Sequence, residues 1–196
     1  MSDVVGLAVD EMRSALTPAS DLAWDVPAGD VEWTCRATAG HVADDLFSYA
    51  SQVIAQPDSG YLPIEAVMEP RASNAEILRA VAMCGRLLSN AVDSASSDAR
   101  AWHPYGTSDP EGFAAMGVVE VLVHTYDIAE GLELGWRPPS TLCAPVLQRL
   151  FPGAPEGDAS HVLLHLTGRQ ALAGRERLTD WAWDSSVRTD SATRRH

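Results

Sequence analysis

The chain has 196 residues, of which 46% are hydrophobic and 21% are charged. This is the composition of a folded globular protein, long enough for one domain with a short appendage. The net charge of −13 argues against nucleic acid or an anionic membrane as a partner. No signal-peptide pattern and no run of about 18 apolar residues is found, so we expect a cytoplasmic protein.

Three cysteines are present, Cys35, Cys84 and Cys143. Their odd number and wide spacing are not those of a disulfide framework, and they form no C-x-x-C motif. Each lies among residues with helical periodicity. We therefore predict three small, buried, unpaired side chains.

Helical periodicity of apolar residues dominates the sequence. It predicts four long helices, over residues 3–16, 35–56, 73–94 and 109–131. Thr34 is a suitable N-cap for the second, and Ser73-x-x-Glu76 is a capping box for the third. Asp109 followed by Pro110 is a typical helix start. Shorter helices are predicted over 140–151 and 161–173, the latter capped by residues 158–160.

The segment between the second and third helices, residues 57–72, is long and contains three prolines. A connection of that length can cross the bundle and leave these helices parallel. We predict an all-α fold, a four-helix bundle with a long crossover between helices 2 and 3, plus short C-terminal helices. The expected divisions are a metal-binding bundle over 1–134, a helical extension packed on it over 135–184, and a disordered tail over 185–196.

The fourth helix carries the most informative motif, Glu120-x3-His124-x2-Asp127. These spacings place three ionisable groups on one stripe of a helix whose intervening residues are apolar, so the stripe should be buried. Burial of such groups is costly unless a partner compensates, and Glu and His are good zinc ligands. His41, flanked by small residues on the second helix, is the strongest candidate for a third ligand. Three protein ligands would leave an open coordination position.

Several alternatives remain open at this stage. Glu120 and His124 could be a weak pair on a helix surface. Asp127 could orient a ligand or carry a proton, or it could pair with an arginine of a neighbouring helix. His161-x3-His165 also places two imidazoles on one helix face, although two partly exposed histidines are the simpler interpretation.

The sequence resembles the DinB-like metalloprotein superfamily, and within it a compact member of the mycothiol-dependent maleylpyruvate isomerase N-terminal-domain family. Three stretches carry the resemblance, residues 32–42, 119–129 and 163–169. They are similar to the family's W-T-x-R-x4-H, E-x3-H-x2-D-L-A and L-L-x-L-x-G-R patterns. The resemblance implies the four-helix fold, with His41, Glu120 and His124 as metal ligands and Asp127 as the adjacent acid. It disfavours His161 and His165.

The resemblance implies a divalent metal, with zinc favoured over nickel or another ion, and mycothiol as thiol cosubstrate. The leading hypothesis is a metal-dependent thiol enzyme, a mycothiol-dependent S-transferase or isomerase acting on a small electrophile, in which Asp127 assists proton movement. Tyr126, Trp102 and His103 are candidates for lining its pocket. The segment after Asp127 is too short for the larger C-terminal domain of maleylpyruvate isomerases, so their substrate does not follow.

Two other functions fit the same residues. One is a thiol-independent metalloenzyme that uses the ion as a Lewis acid in a biosynthetic or hydrolytic step. The other is a non-catalytic metal-binding protein with a closed ligand set. In either enzyme the partners would be small molecules, including a low-molecular-weight thiol in the leading hypothesis. A homodimer is compatible with the sequence.

Overall fold

The computed structural model describes residues 1–188, and this part of the chain contains six α-helices and no extended strand. The helices are α1 (Ser2–Leu16), α2 (Cys35–Ala55), α3 (Asn74–Ser94), α4 (Pro110–Gly131), α5 (Ser140–Leu150) and α6 (Ala159–Leu166). The all-α prediction is confirmed. The first four helices agree with the predicted ranges to within one residue at each end.

The predicted caps account for where the long helices begin. The Thr34 hydroxyl accepts a hydrogen bond from the backbone of Ala37 at the start of α2. Ser73 and Glu76 exchange the reciprocal hydrogen bonds of a capping box at the start of α3. Asp109 accepts from the backbone of Gly112, and Pro110 occupies the first position of α4. These caps satisfy amide groups that have no partner inside the helix.

The long crossover makes α2 and α3 parallel, as predicted. Arg36 near the start of α2 donates a hydrogen bond to Asn74 at the start of α3, at 3.4 Å. Further along the two helices, Leu46 and Leu88 both lie against Gly117 of α4. A Cβ on Gly117 would come within 2.6 Å of the Leu88 side chain, so a larger residue there would have to displace Leu88.

The crossover segment is fastened to α2 by side chains. The guanidinium of Arg36 donates to the backbone carbonyls of Glu69, Pro70 and Ala72. About two turns further along α2, Asp44 accepts a hydrogen bond of 2.6 Å from the backbone of Ala66. The loop therefore lies along the bundle and does not extend away from it.

Helix α4 is the central helix of the bundle. Between Pro110 and Ala129 only Glu111 and Glu120 are not buried. By length and composition this helix could cross a membrane, but 94% of its most apolar window is buried inside the protein. Such burial is that of a core helix, and it runs antiparallel to α2, since Gly131 lies beside Cys35 and Gly117 beside Leu46.

The C-terminal segment departs from prediction in one helix end. Helix α6 stops at Leu166, not Ala173, because Gly168 adopts a left-handed conformation with φ of +71°. The chain reverses there, as expected after a glycine that ends a helix. Beyond it the backbone is irregular and returns across the bundle.

The predicted disordered tail begins at Ser185, which is fully buried. Its carbonyl accepts a 2.6 Å hydrogen bond from Ser108, and its hydroxyl donates to the carbonyl of Gly106 at 2.8 Å. The start of that tail is thus packed on the bundle. Residues 189–196 of the predicted tail lie outside the described residues.

Candidate metal centre

The fold brings His41 of α2 to Glu120 and His124 of α4. One nitrogen or carboxylate oxygen from each residue lies within 4.8 Å of the other two. His124 Nε2 lies 3.2 Å from Glu120 Oε2, and the two imidazole rings have centroids 5.1 Å apart. The two nitrogens and one oxygen are close enough together, and of the right chemistry, to fit a divalent metal ion.

The predicted burial of this stripe is confirmed. The side chains of His124 and Glu120 are only 8% and 13% exposed, which excludes the alternative of a surface pair. Burial by itself lowers the pKa of His124, but its hydrogen bonds to Asp127 and Glu120 outweigh burial and raise that pKa to about 9. Burial opposes ionisation of Glu120, but the hydrogen bond and charge of His124 hold its pKa below the usual value.

Asp127 makes both of the contacts that the sequence left as alternatives. Its Oδ2 lies 2.9 Å from His124 Nδ1. Arg169 donates two hydrogen bonds to the same carboxylate, from Nε to Oδ1 at 3.1 Å and from Nη2 to Oδ2 at 2.8 Å. Despite its burial, the pKa of Asp127 is lowered by these partners. A carboxylate on Nδ1 fixes the orientation of the ring and leaves Nε2 turned toward Glu120.

Asp45 is a third carboxylate at this site, and sequence analysis did not single it out. Its Oδ2 lies 3.0 Å from His41 Nε2. Burial, reinforced by the charge of Glu120, raises the pKa of Asp45 to about 6. The signal was available, because His41-x3-Asp45 has the same four-residue spacing as Glu120-x3-His124.

The three predicted ligands face a cavity of about 570 Å³. Aromatic side chains form much of its wall, namely Trp33, Tyr49, Tyr105, Trp181 and Trp183. The hydroxyl of Tyr49 lies 3.4 Å from Glu120 Oε1 and donates a hydrogen bond to it. His103 also lines the cavity, as suggested, and burial lowers its pKa to about 4.

The other predicted pocket residues lie elsewhere. Tyr126 lines a neighbouring cavity of about 470 Å³, which shares Arg169 and Trp181 with the first. Trp102 packs edge-on against Tyr61, with ring centroids 5.5 Å apart. Of the three candidates, only His103 faces the space beside the predicted metal ligands.

The rival histidine pair is not part of a ligand cluster among residues 1–188. His161 is exposed on α6 and His165 is buried, with its Nδ1 3.2 Å from the carbonyl oxygen of Gln170. His165 is therefore a core histidine with a backbone partner. The expectation that both histidines are partly exposed is wrong for His165, which is 2% exposed.

The three cysteines are free and buried, as predicted. Burial raises the pKa of Cys35 and of Cys84 to about 11, and that of Cys143 to about 12. Their thiols stay protonated at neutral pH. No cysteine nucleophile of this chain serves the cavity.

Residues 5–129 match the family model described as the mycothiol maleylpyruvate isomerase N-terminal domain. The chain belongs to this family. Searches of curated proteins and of solved structures give no match. The matched range includes the four long helices almost completely and all three predicted ligands, whereas Arg169, Trp181 and Trp183 lie beyond it.

Proposed function

We propose that this protein is a metal-dependent thiol enzyme, of the mycothiol-dependent S-transferase or isomerase type, that acts on a small electrophile. One observation carries the proposal. His41, Glu120 and His124 converge to within 4.8 Å at the floor of a cavity in a chain of the mycothiol maleylpyruvate isomerase N-terminal-domain family. A site with three protein ligands and an adjoining cavity leaves room for a further ligand.

The charges around the triad support a divalent cation. Three carboxylates, from Asp45, Glu120 and Asp127, surround two imidazoles, and among residues 1–188 only Arg169 offsets them directly. Buried negative charge of this density is stabilised by a doubly charged ion. Two nitrogen donors and one oxygen donor favour zinc, with nickel as the alternative. When bound, the ion would supply a coordinated thiol in its thiolate form at neutral pH.

The protein's own residues hold the ligands in place. Tyr49 donates to one oxygen of Glu120 and leaves the other near His124. Asp127 holds Nδ1 of His124, and Arg169 in turn holds Asp127. We infer that Asp127 contributes by orienting His124, because both of its oxygens are already engaged. The aromatic wall limits the access of water to the reacting groups.

The proposal is tested by titrating mycothiol into protein loaded with cobalt(II). We expect an intense sulfur-to-cobalt absorption band in the near ultraviolet, with one thiol per chain at saturation. The protein's own cysteines should not contribute to this absorption band, since all three are buried in the fold. Ascorbate, which carries no thiol, serves as the control additive.

Each result of that titration discriminates between functions. Cobalt uptake with no change on adding mycothiol would contradict the thiol enzyme and favour a thiol-independent Lewis-acid site. No cobalt uptake would contradict both metalloenzymes. A cobalt spectrum typical of four protein ligands, unaltered by any additive, would identify a closed and non-catalytic site.

A further inference from the structure

The wall of the cavity opposite the predicted ligands is aromatic. Trp183 is 7% exposed and packs against Trp181 and Tyr105, with ring centroids 5.8 and 5.6 Å away. Trp33 and Tyr105 lie on the same cavity and are about half exposed, at 45% and 48%. The ring of Trp183 is tilted by 49° from that of Trp181 and by 89° from that of Tyr105. Such aromatic surface, partly open to solvent, is suited to offset or edge-to-face contact with a planar ligand.

The cavity offers no free cation among the described residues. Arg169 is the only arginine among residues 1–188 that lines it, and three of its five N–H donors are taken up by Asp127 and by the carbonyl of Thr167. His103 is neutral near pH 7, because burial lowers its pKa. Asp30, Glu32 and Glu120 add carboxylates to the lining. His41 faces Asp45, and His124 lies between Glu120 and Asp127. A dianionic substrate would therefore have to compete with a carboxylate for each of these side chains.

Two residues of this wall, Trp181 and Trp183, belong to the part of the chain beyond the family match. They lie in residues 167–188, whose backbone is irregular. The segment is anchored near Trp183, since Asp184 donates its backbone N–H to Leu150 and Ser185 is bonded to Ser108. At its other end the guanidinium of Arg169 lies 5.7 Å from the ring centre of Trp181. The aromatic wall is therefore held in a fixed position.

We propose that the electrophile of this site is an uncharged, planar aromatic molecule that packs against the aromatic wall at Trp181 and Trp183, and not a small dicarboxylate. The inference rests on the proposed function in calling this ligand an electrophile, but the binding preference rests on the cavity alone. The matched domain supplies the predicted ligands and part of the wall, and the segment after residue 129 completes the wall. A cavity of about 570 Å³ accommodates a one- or two-ring compound.

The test uses binding, so that it stays independent of metal and thiol. The probes are 1,3-dinitrobenzene, a neutral planar ring with no leaving group for a thiol, and maleate, a small dianion. Calorimetric titration of the full chain, both metal-free and zinc-loaded, should show 1,3-dinitrobenzene binding at least about tenfold tighter than maleate to the metal-free protein.

Two tryptophan variants locate the binding. Trp183→Ala should weaken 1,3-dinitrobenzene about tenfold, and Trp183→Phe should restore most of the affinity. Trp136→Ala is the matched control, because Trp136 bonds to Glu11 on α1 and does not line the cavity. Thermal melting followed by circular dichroism shows whether each variant folds. If Trp183→Ala does not fold, Trp181→Ala is measured in its place.

Tighter binding of maleate than of 1,3-dinitrobenzene to the metal-free protein would overturn the inference. So would an equal loss of 1,3-dinitrobenzene affinity in the Trp183→Ala and Trp136→Ala proteins. Aromatic selectivity with no thiol signal in the cobalt titration would retain the inference while contradicting the proposed function. The two failures are thus distinguishable.

Discussion

The floor and the wall of the cavity are built in different ways. The floor comes from α2 and α4, where ionisable side chains repeat every four residues on buried helix faces, as in His41/Asp45 and Glu120/His124. Two tryptophans of the wall, Trp181 and Trp183, come from residues 167–188, whose backbone is irregular after Gly168. A helical floor fixes the ligands to one geometry, whereas a loop segment can change its side chains without disturbing that geometry. On our proposals, metal binding depends on α2 and α4, and substrate choice depends in part on residues 167–188.

The strongest test of this division is a buried ion pair that joins the two parts, between Arg169 and Asp127. Replacing Arg169 with methionine leaves the Asp127 carboxylate buried beside His124 without its guanidinium partner. We expect the free energy of unfolding to fall by about 3–5 kcal/mol, since removal of one partner strands a buried charge. Urea denaturation of the metal-free protein measures this change.

The double variant Arg169→Met with Asp127→Asn supplies the control. It removes the stranded charge, so we expect it to be more stable than Arg169→Met alone. Equal stability of the wild type and Arg169→Met would show that other contacts hold floor and wall together. The Arg169–Asp127 pair would then contribute little to the free energy of unfolding.

A second, smaller effect concerns the floor alone. Asp45→Asn removes a carboxylate 3.0 Å from His41 while preserving the size of the side chain. We expect zinc affinity at pH 7.5 to fall about tenfold, because outer carboxylates of this kind support metal ligands. Competition with a chromophoric chelator measures the affinity.

Asp44→Asn is the matched control for that change. Asp44 is the adjacent carboxylate on α2, but it accepts a hydrogen bond from the crossover backbone at Ala66. Its loss should leave zinc affinity unchanged. Zinc affinity that is the same in Asp45→Asn and wild type would remove Asp45 from the site.

A third predicted effect concerns a residue beside the wall and depends on pH. The pKa of His103 is about 4 in the folded chain, below the usual value of 6.5, because the residue is buried. Between pH 6.5 and pH 4 the unfolded chain therefore binds a proton that the folded chain does not. The free energy of unfolding should fall as the pH drops through this window, by about 2–3 kcal/mol from His103 alone.

His103→Phe keeps a ring against its neighbours Tyr49, Phe113 and Trp183 but does not titrate. The variant should lose less stability than the wild type between pH 6.5 and pH 4, as measured by urea denaturation at several pH values. Glu120 is the charge that acts on His103 in the opposite direction. Parallel pH profiles for the two proteins would contradict the buried, neutral state of His103.

The bundle and the predicted ligands could be derived from sequence because they depend on local rules. Caps such as Thr34 and Ser73 mark helix starts, and the four-residue spacing of Glu120 and His124 places both side chains on one face whatever the tertiary structure. The long crossover also follows from length and proline content. Helical periodicity placed His41 on the second helix of the same bundle, and the structure brings it to Glu120 and His124 on α4.

The wall could not be derived in this way. The contact of Arg169 with Asp127 joins residues 42 positions apart and depends on a turn at Gly168. A contact of this kind cannot be predicted from the periodicity of the sequence. Trp181 and Trp183 lie in irregular backbone, where alternation or helical spacing has no meaning. The predicted end of α6 was wrong for a related reason, since apolar residues recur at 171–173 although the conformation of Gly168 has already ended the helix.

The number of zinc ions bound per chain tests whether His41, Glu120 and His124 form a metal site. After equilibrium dialysis against buffered zinc, elemental analysis should give one ion per chain for the wild type and for His165→Ala, whose histidine is buried on α6. His124→Ala should retain only traces, because it removes one of three ligands. Wild-type protein that binds no zinc, or a His124→Ala protein that still binds one ion per chain, would contradict the account.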